Sequence, residues 1–228
     1  MAVAAGRSRW SAGPYGELVP LDAPDLADHW WWRPGWQVGT RYLSWHVTLE
    51  DQPELRRFAA RYQEALRPFA ALDVVPEPWL HSTMQGVGHV AEVPDRERDA
   101  VVSAVRRRLA AVSPAPFTSA RPVVHREAVA FDALDPEPLR RVRRAVRAGI
   151  AEALGPSSVP GGDEDYPPHV SLAYANSSAA TSGIRVALDA VDVAPVTTSV
   201  RRVALIELHR DDRMYEWRTV AQVQLGGR

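Results

Sequence analysis

The chain has 228 residues, a formal net charge of −1 and a hydrophobic content of 46%. This length is enough for one large domain or for two small lobes around a shared cleft. The low net charge argues against a long, sequence-independent nucleic-acid footprint, because such a footprint needs a strong basic stripe. Cysteine is absent, which excludes thiol nucleophiles, disulfides and cysteine-based zinc sites.

Lysine is absent as well, so all 27 basic residues are arginine. This excludes Schiff-base lysines and the covalent lysine–nucleotide intermediate of an ATP-dependent ligase. No apolar run is long enough for a membrane span, and the first residues lack the pattern of a signal peptide. The arginine-rich composition favours a GC-rich bacterial source, and we expect a cytoplasmic protein.

Residues 1–40 are rich in glycine, proline and tryptophan without a clear period, which predicts an irregular arm. Its tryptophans at 30–32 and 36 could stack an unpaired base, because aromatic faces suit bases. We favour the alternative that they pack across a lobe as a hydrophobic strap. The remaining residues, 41–228, are predicted to form a single domain.

Regular structure is predicted from residue 41 onward. A strand at 41–49 precedes a helix that starts near Pro53, where a stripe of apolar residues has helical spacing. Two further helices are predicted from Asp95 and from Asp135, the last of them closed by Gly155. The remaining predicted strands are 79–87, 123–131, 166–174, 184–193, 200–209 and 215–225.

The order strand, helix, strand occurs twice in this scheme, once in each half of the chain. Sequence identity between the halves is low, so the repeat is architectural. It predicts a bilobal α+β fold with two pseudo-symmetric lobes around a central cleft. Each lobe would hold an antiparallel sheet with flanking helices, and the second strand of each repeat would be central in its sheet.

Two short stretches, residues 80–84 and 168–172, share one pattern: hydrophobic, His, any residue, hydroxyl, hydrophobic. Residues two apart on a strand point to the same face. Each stretch therefore presents an imidazole beside a hydroxyl, His81 with Thr83 and His169 with Ser171. Two such pairs that converge would place two acid–base groups and two hydrogen-bond donors around one anion.

These stretches resemble the paired motifs of the two-histidine (2H) phosphoesterase superfamily, also called 2′-5′ RNA ligase-like or cyclic phosphodiesterase-like proteins. The resemblance covers residues 41–225 and implies a bilobal α+β fold with chemistry that needs neither metal nor cofactor. It implies that His81 and His169 are catalytic and that Thr83 and Ser171 bind phosphate. Ser171 replaces the more common threonine but keeps the hydroxyl donor.

Three other residues are candidates for the edge of the site. His46 belongs to a stretch of the same form, 45–49, but on the first predicted strand. It could be an ordinary strand histidine, or it could lie behind the site or at the substrate rim. Trp79 and Tyr166 precede the two motifs and could line the mouth of the cleft. A metal bound by histidines is disfavoured, since there is no helical histidine pair and no acidic cluster.

The sequence therefore predicts a metal-independent phosphodiesterase that hydrolyses a 2′,3′-cyclic phosphate or a related nucleotide phosphodiester. A 2′-5′ RNA ligase would use the same residues in the reverse reaction. A non-catalytic module that binds nucleotides or RNA ends is the alternative from another class. The expected partner is a nucleotide or an RNA end with a cyclic phosphate. We expect the protein to be a monomer and to bind no membrane.

Overall fold

The computed structural model describes residues 10–12, 18–20, 24–162 and 166–226. Two short strands, β1 (Trp10–Ala12) and β2 (Leu18–Pro20), pair antiparallel inside the arm that the sequence predicts to be irregular. The rest of residues 1–23 lies outside the described part of the chain. Within that described part, no helix combines the length and apolar character that crossing a bilayer requires.

The remaining elements form an α+β fold. The first half contains β3 (Tyr42–Thr48), α1 (Pro53–Leu66), β4 (Leu72–Val74), β5 (His81–His89), α2 (Asp95–Leu109) and β6 (Ala115–Ser119). The second half contains β7 (Val123–Val124), β8 (Ala128–Asp132), α3 (Glu137–Leu154), β9 (His169–Ala175), α4 (Ser182–Asp189), β10 (Val196–Val200), β11 (Arg202–His209) and β12 (Glu216–Gln224).

Two four-stranded antiparallel sheets carry the histidine strands. The strand order is β12-β11-β3-β5 in the first sheet and β4-β9-β8-β7 in the second. As predicted, β9 is an internal strand, but the prediction of a central strand is wrong for β5, which ends its sheet. β5 also contacts β9 of the other sheet, which brings the two histidine strands together.

The predicted repeat is present as β3-α1-β5 and β8-α3-β9. The two helices are exchanged between the lobes: α1 packs on β9 and β10, whereas α3 packs on β5 and β6. A single cluster of buried hydrophobic residues consequently spans both sheets. This shared core fixes the position of one histidine strand relative to the other.

Two predicted strands differ from the structure. The segment 184–193 is not a strand, because Ile184 and Leu188 are buried one helical turn apart while Val186 between them is 70% exposed. Residues 184–189 therefore belong to α4. The predicted strand 123–131 is a hairpin of β7 and β8 that turns at residues 125–127. In residues 184–189 the apolar side chains fit a strand as well as a helix, and only the packing partners select the structure.

The contact between α2 and α3 depends on Gly149. Alanine normally stabilises a helix by about 1 kcal/mol relative to glycine. A Cβ at position 149 would lie 2.8 Å from the backbone nitrogen and Cα of Val105, so the helices would have to separate. We expect Gly149→Ala to lower the free energy of unfolding by about 1–3 kcal/mol in urea denaturation.

Gly162 provides the control, because a Cβ there meets nothing within 4 Å. Gly162→Ala should change the free energy of unfolding by less than about 0.5 kcal/mol. A Gly149→Ala variant as stable as the natural chain would mean that α2 and α3 can move apart without cost.

Candidate active site

His81 and His169 are the first residues of β5 and β9, and the same backbone contact holds each ring. The Nδ1 atom of His81 lies 2.8 Å from the carbonyl oxygen of Trp79, and that of His169 lies 2.9 Å from the carbonyl oxygen of Pro167. A carbonyl oxygen only accepts hydrogen bonds, so Nδ1 carries the hydrogen in both rings. Nε2 of each neutral imidazole therefore keeps its lone pair available for proton transfer.

The two hydroxyls follow at the predicted positions, and each is followed by a β-bulge. Met84 and Leu172 are the extra residues in the register of β5 with β3 and of β9 with β8. A bulge moves the following residues to the opposite face of the strand. In β9 this brings Tyr174 to the face of His169 and Ser171.

The first bulge is held by the helix and loop of the second lobe. Arg143 on α3 donates from Nε to the carbonyl oxygen of Met84 at 3.0 Å, and its guanidinium lies 4.7 Å from the ring centre of Tyr166. The Tyr166 hydroxyl donates to the carbonyl oxygen of Thr83. Tyr166 thus anchors the backbone that presents the Thr83 hydroxyl, and it does so from the loop that leads to the second motif.

His46 lies directly beneath His81. It is 1% exposed, so it lies below the surface of the cleft rather than on its rim. Its ring stacks on the His81 ring at a centroid distance of 4.5 Å and an interplanar angle of 15°. Its Nε2 lies 3.4 Å from the Oγ1 of Thr83. His46 therefore contacts both the histidine and the hydroxyl of the first motif.

Aromatic residues of β12 and the turn before it enclose the other side of His81. Trp217 packs edge-on against His81 at 5.1 Å and against Trp79 at 4.9 Å. Tyr215 lies 6.4 Å from His81, also edge-on. These rings remove the imidazole from water, and among the described residues only Nδ1 of this ring has a hydrogen-bond partner.

The arm extends the wall of this cleft. His29 stacks on Tyr174 at 4.4 Å, and its two nitrogens lie 3.2 Å from Glu127 Oε2 and 3.0 Å from the Tyr215 hydroxyl. Arg210 donates to the carbonyl oxygen of Trp31 at 3.1 Å. The arm is thereby attached to both sheets, to the β7–β8 turn and β9 on one side and to the β11–β12 turn on the other.

The tryptophans of the arm divide into two groups. Trp30 is 7% exposed and donates from its indole to Asp73 at 2.8 Å, as expected for a strap. Trp31 and Trp32 are about half exposed, at 48% and 47%. The guanidinium of Arg210 lies over both the Trp30 and the Trp32 rings.

Burial dominates the electrostatics of the two motif histidines. It lowers the pKa of His81 to about 4, where the charge of His169 lowers it further and the Trp79 carbonyl opposes the shift. Burial also lowers the pKa of His169, against the raising effects of the Pro167 carbonyl and Asp132. Both rings are therefore neutral near pH 7 without ligand, and a bound anion would favour protonation of one of them.

The same reasoning applies to the buried pair in the arm. Burial lowers the pKa of His29 to about 4, although Glu127 opposes this shift. Burial raises the pKa of Glu127, but the hydrogen bond and charge of His29 and the charge of Arg33 outweigh it, and the pKa is lowered overall. A neutral His29 thus donates from Nδ1 to an ionised Glu127.

Several residues of this site carry no recognisable motif in the sequence. They are His29, Asp132, Tyr174, Tyr215 and Trp217. Asp132, which the structure pairs with His169 across β8 and β9, falls one residue beyond the predicted strand 123–131. In the described part of the chain, no group of three His, Cys, Asp or Glu side chains is arranged to hold a metal ion.

Comparisons with known proteins agree with this architecture. The family model of the 2′-5′ RNA ligase superfamily matches residues 46–212, whereas no curated protein sequence matches the chain. The crystal structure of TT0787 of Thermus thermophilus is similar, with a TM-score of 0.62 and 23% identity over 82% of this chain and 98% of that one. E. coli LigT complexed with 3′-AMP has a TM-score of 0.60 and 15% identity, over 82% of this chain and 99% of that one.

Proposed function

We propose that this chain, which belongs to the 2′-5′ RNA ligase superfamily, hydrolyses 2′,3′-cyclic phosphates of nucleotides or RNA ends without a metal. Membership of the superfamily supports an activity of the phosphoesterase or ligase type. One observation carries the finer proposal: two histidines from different lobes share the same Nδ1 contact to a carbonyl, and each is followed by a hydroxyl on its own face.

The chemistry needs one neutral and one protonated imidazole. The neutral ring takes a proton from water as the water oxygen attacks phosphorus, and the protonated ring gives a proton to the ribose oxygen that leaves. The bond between water oxygen and phosphorus forms while the bond to one ribose oxygen breaks, which opens the cyclic phosphate to a monoester. In-line displacement requires the two rings on opposite sides of the phosphorus atom, and strands from two lobes are suited to that geometry.

Thr83 and Ser171 would donate hydrogen bonds to the non-bridging oxygens of the phosphate, where negative charge increases in the transition state. E. coli LigT has been crystallised with phosphate, 3′-AMP and ATP. For this chain, the likeness supports a nucleotide as ligand.

The direct test uses the natural chain with nucleoside 2′,3′-cyclic phosphates in excess EDTA, followed by separation of the products. Release of one monophosphate isomer supports the proposal and shows which ester bond breaks. A parallel reaction supplies one RNA with a cyclic-phosphate end and another with a 5′-hydroxyl. A joined product there would identify a ligase, and binding of either substrate without turnover would identify a binding module.

The hydroxyls should matter less than the histidines. We expect Thr83→Val and Ser171→Ala each to lower kcat by about 10²-fold, the usual loss for one donor to a developing oxyanion. Steady-state kinetics on a cyclic phosphate would measure this. Ser171→Thr retains the hydroxyl and should keep near-natural kcat. An unchanged kcat in Ser171→Ala would remove this hydroxyl from the phosphate site.

A further inference from the structure

The two motifs are alike, but the residues across the sheet from the two histidines differ. Thr48 is the cross-strand partner of His81, whereas Asp132 is the partner of His169. Cross-strand partners lie on the same face at close range. His169 therefore has a carboxylate beside it, and His81 has a neutral hydroxyl in the equivalent place.

The carboxylate of Asp132 favours a protonated His169. It raises the pKa of His169, although burial outweighs it and His125 opposes it. The side chain of Asp132 also accepts a hydrogen bond from His125 Nε2 at 3.2 Å. In the described part of the chain, three charged or titratable groups are found around His169. They are Asp132 from β8, His125 from the turn before it and His81 from β5.

No such carboxylate is recorded beside His81 in the described part of the chain. The groups that face its ring are His46 from β3, His169 from β9, Tyr215 from the turn before β12 and Trp217 from β12. The two histidines are neutral or positive, and none of these groups is a carboxylate. His81 is thus surrounded by groups that disfavour its protonation, and the stacked His46 ring covers one whole face of it.

The second difference between the lobes is His46 itself. It is the cross-strand partner of Thr83, whereas the partner of Ser171 is Ala130. Nδ1 of His46 is buried and has no hydrogen-bond partner among the described residues. A buried N–H without a partner is rarer than an unpaired acceptor, so the hydrogen belongs on Nε2. His46 then donates to Thr83 Oγ1, which leaves the Thr83 hydroxyl hydrogen to point toward the phosphate.

We infer that His46 is a positioning residue that keeps His81 uncharged and orients the Thr83 hydroxyl, so that His81 is the general base and His169 is the general acid. This assignment rests on the proposed function. In the forward reaction, His81 Nε2 takes the proton of the attacking water, and the water oxygen bonds to phosphorus. His169 Nε2 gives its proton to the departing ribose oxygen, and both rings return to their starting states by exchange with solvent.

A substrate whose leaving group needs no proton separates the two roles. A p-nitrophenyl deoxynucleoside phosphodiester releases p-nitrophenolate without a general acid. We expect His169→Ala to retain most of the natural rate on this substrate while losing about 10²–10⁴-fold on a cyclic phosphate. His81→Ala should be impaired on both substrates. The opposite pattern, with His81→Ala rescued by nitrophenolate, would overturn the assignment.

The role of His46 is tested by the protonation of His81, followed by NMR of ¹⁵N-histidine-labelled protein. In His46→Gln, the pKa of His81 should rise above its value of about 4, because one of the rings that bury the imidazole is gone. In His46→Phe the ring remains and the pKa should stay low, but kcat should fall about tenfold through the lost hydrogen bond to Thr83. A His81 pKa that does not move in His46→Gln would overturn the role.

His89 is the matched control, since it lies on β5 with His81 but at the far end, against Trp36 and Tyr42. His89→Gln should leave the His81 titration unchanged, and a thermal melt of each variant checks that it is folded. The titration does not need turnover. If the natural chain hydrolyses neither substrate, the proposed function fails, while a His81 that protonates more readily than His169 would independently overturn the assignment of base and acid.

Discussion

Replacing either His81 or His169 with alanine is expected to lower kcat for a 2′,3′-cyclic phosphate by about 10²–10⁴-fold. Nδ1 of each ring is held by a backbone carbonyl, so Nε2 is the nitrogen that is left to take or give a proton. The loss should be the same with or without EDTA. Initial rates with a nucleoside cyclic phosphate, for each variant and the natural chain, measure it.

The double variant His81→Ala with His169→Ala should be little slower than either single one, since the two groups act in the same step. His89→Ala is the control on the same strand and should keep its activity. Melting temperatures of the variants separate a catalytic loss from unfolding. If one of the two single variants kept its kcat, the reaction would not use two imidazoles, and the proposed mechanism would be wrong.

Acid should unfold this protein through its buried histidines. The pKa values of His29 and His81 are lowered to about 4 in the folded chain, against about 6.5 in the unfolded one. Between these values the unfolded chain binds more protons than the folded chain, so stability falls as the pH falls. The pKa values of His46 and His169 are lowered too, so they act in the same direction.

Each of His29 and His81 should cost about 3 kcal/mol of stability between pH 7 and pH 4. Two such losses approach the whole stability of a typical domain, about 5–15 kcal/mol, so we expect the native state to be lost near pH 4. Urea denaturation at a series of pH values gives the slope of the unfolding free energy against pH. The slope should be steepest between about pH 6.5 and pH 4.

His29→Gln tests the assignment to a particular residue. It removes one titrating group, so the slope should decrease, while the lost contacts to Glu127 and Tyr215 lower the stability at pH 7. A slope that does not change would mean that His29 has the same pKa in the folded and unfolded chains, and a steeper slope would mean that it is charged in the folded protein and pairs with Glu127.

The reactive groups of the site could be predicted from the sequence because their arrangement depends on the spacing of residues close together in the chain. His81 with Thr83 and His169 with Ser171 share a face through the two-residue period of a strand, and that period holds wherever the strand lies. The apolar stripe of α1 and the end of α3 at Gly155 also depend only on residues close together in the chain. Gly155 has a positive φ of 93°, which is typical of a helix end. The architectural repeat followed from the order of these elements.

Only the tertiary structure decided which histidine has which neighbours. The stack of His46 on His81 depends on the register of β3 with β5, and the bulge at Met84 shifts that register in a way that no local pattern encodes. Asp132 reaches His169 in the same way. The attachment of His29 to Glu127 and Tyr215 joins residues separated by 98 and 186 positions.

The two local misreadings have the same origin. Residues 184–193 contain apolar side chains that fit a strand as well as a helix, and burial of Ile184 and Leu188 against the rest of the core selected the helix. The edge position of β5 depends on which strands pair in its sheet, where β3 is its one neighbour, and no local pattern of β5 encodes that. The sequence by itself thus determined the reactive groups and their spacing. The tertiary structure decided their surroundings, because burial, charge and register arise between segments that are distant along the chain.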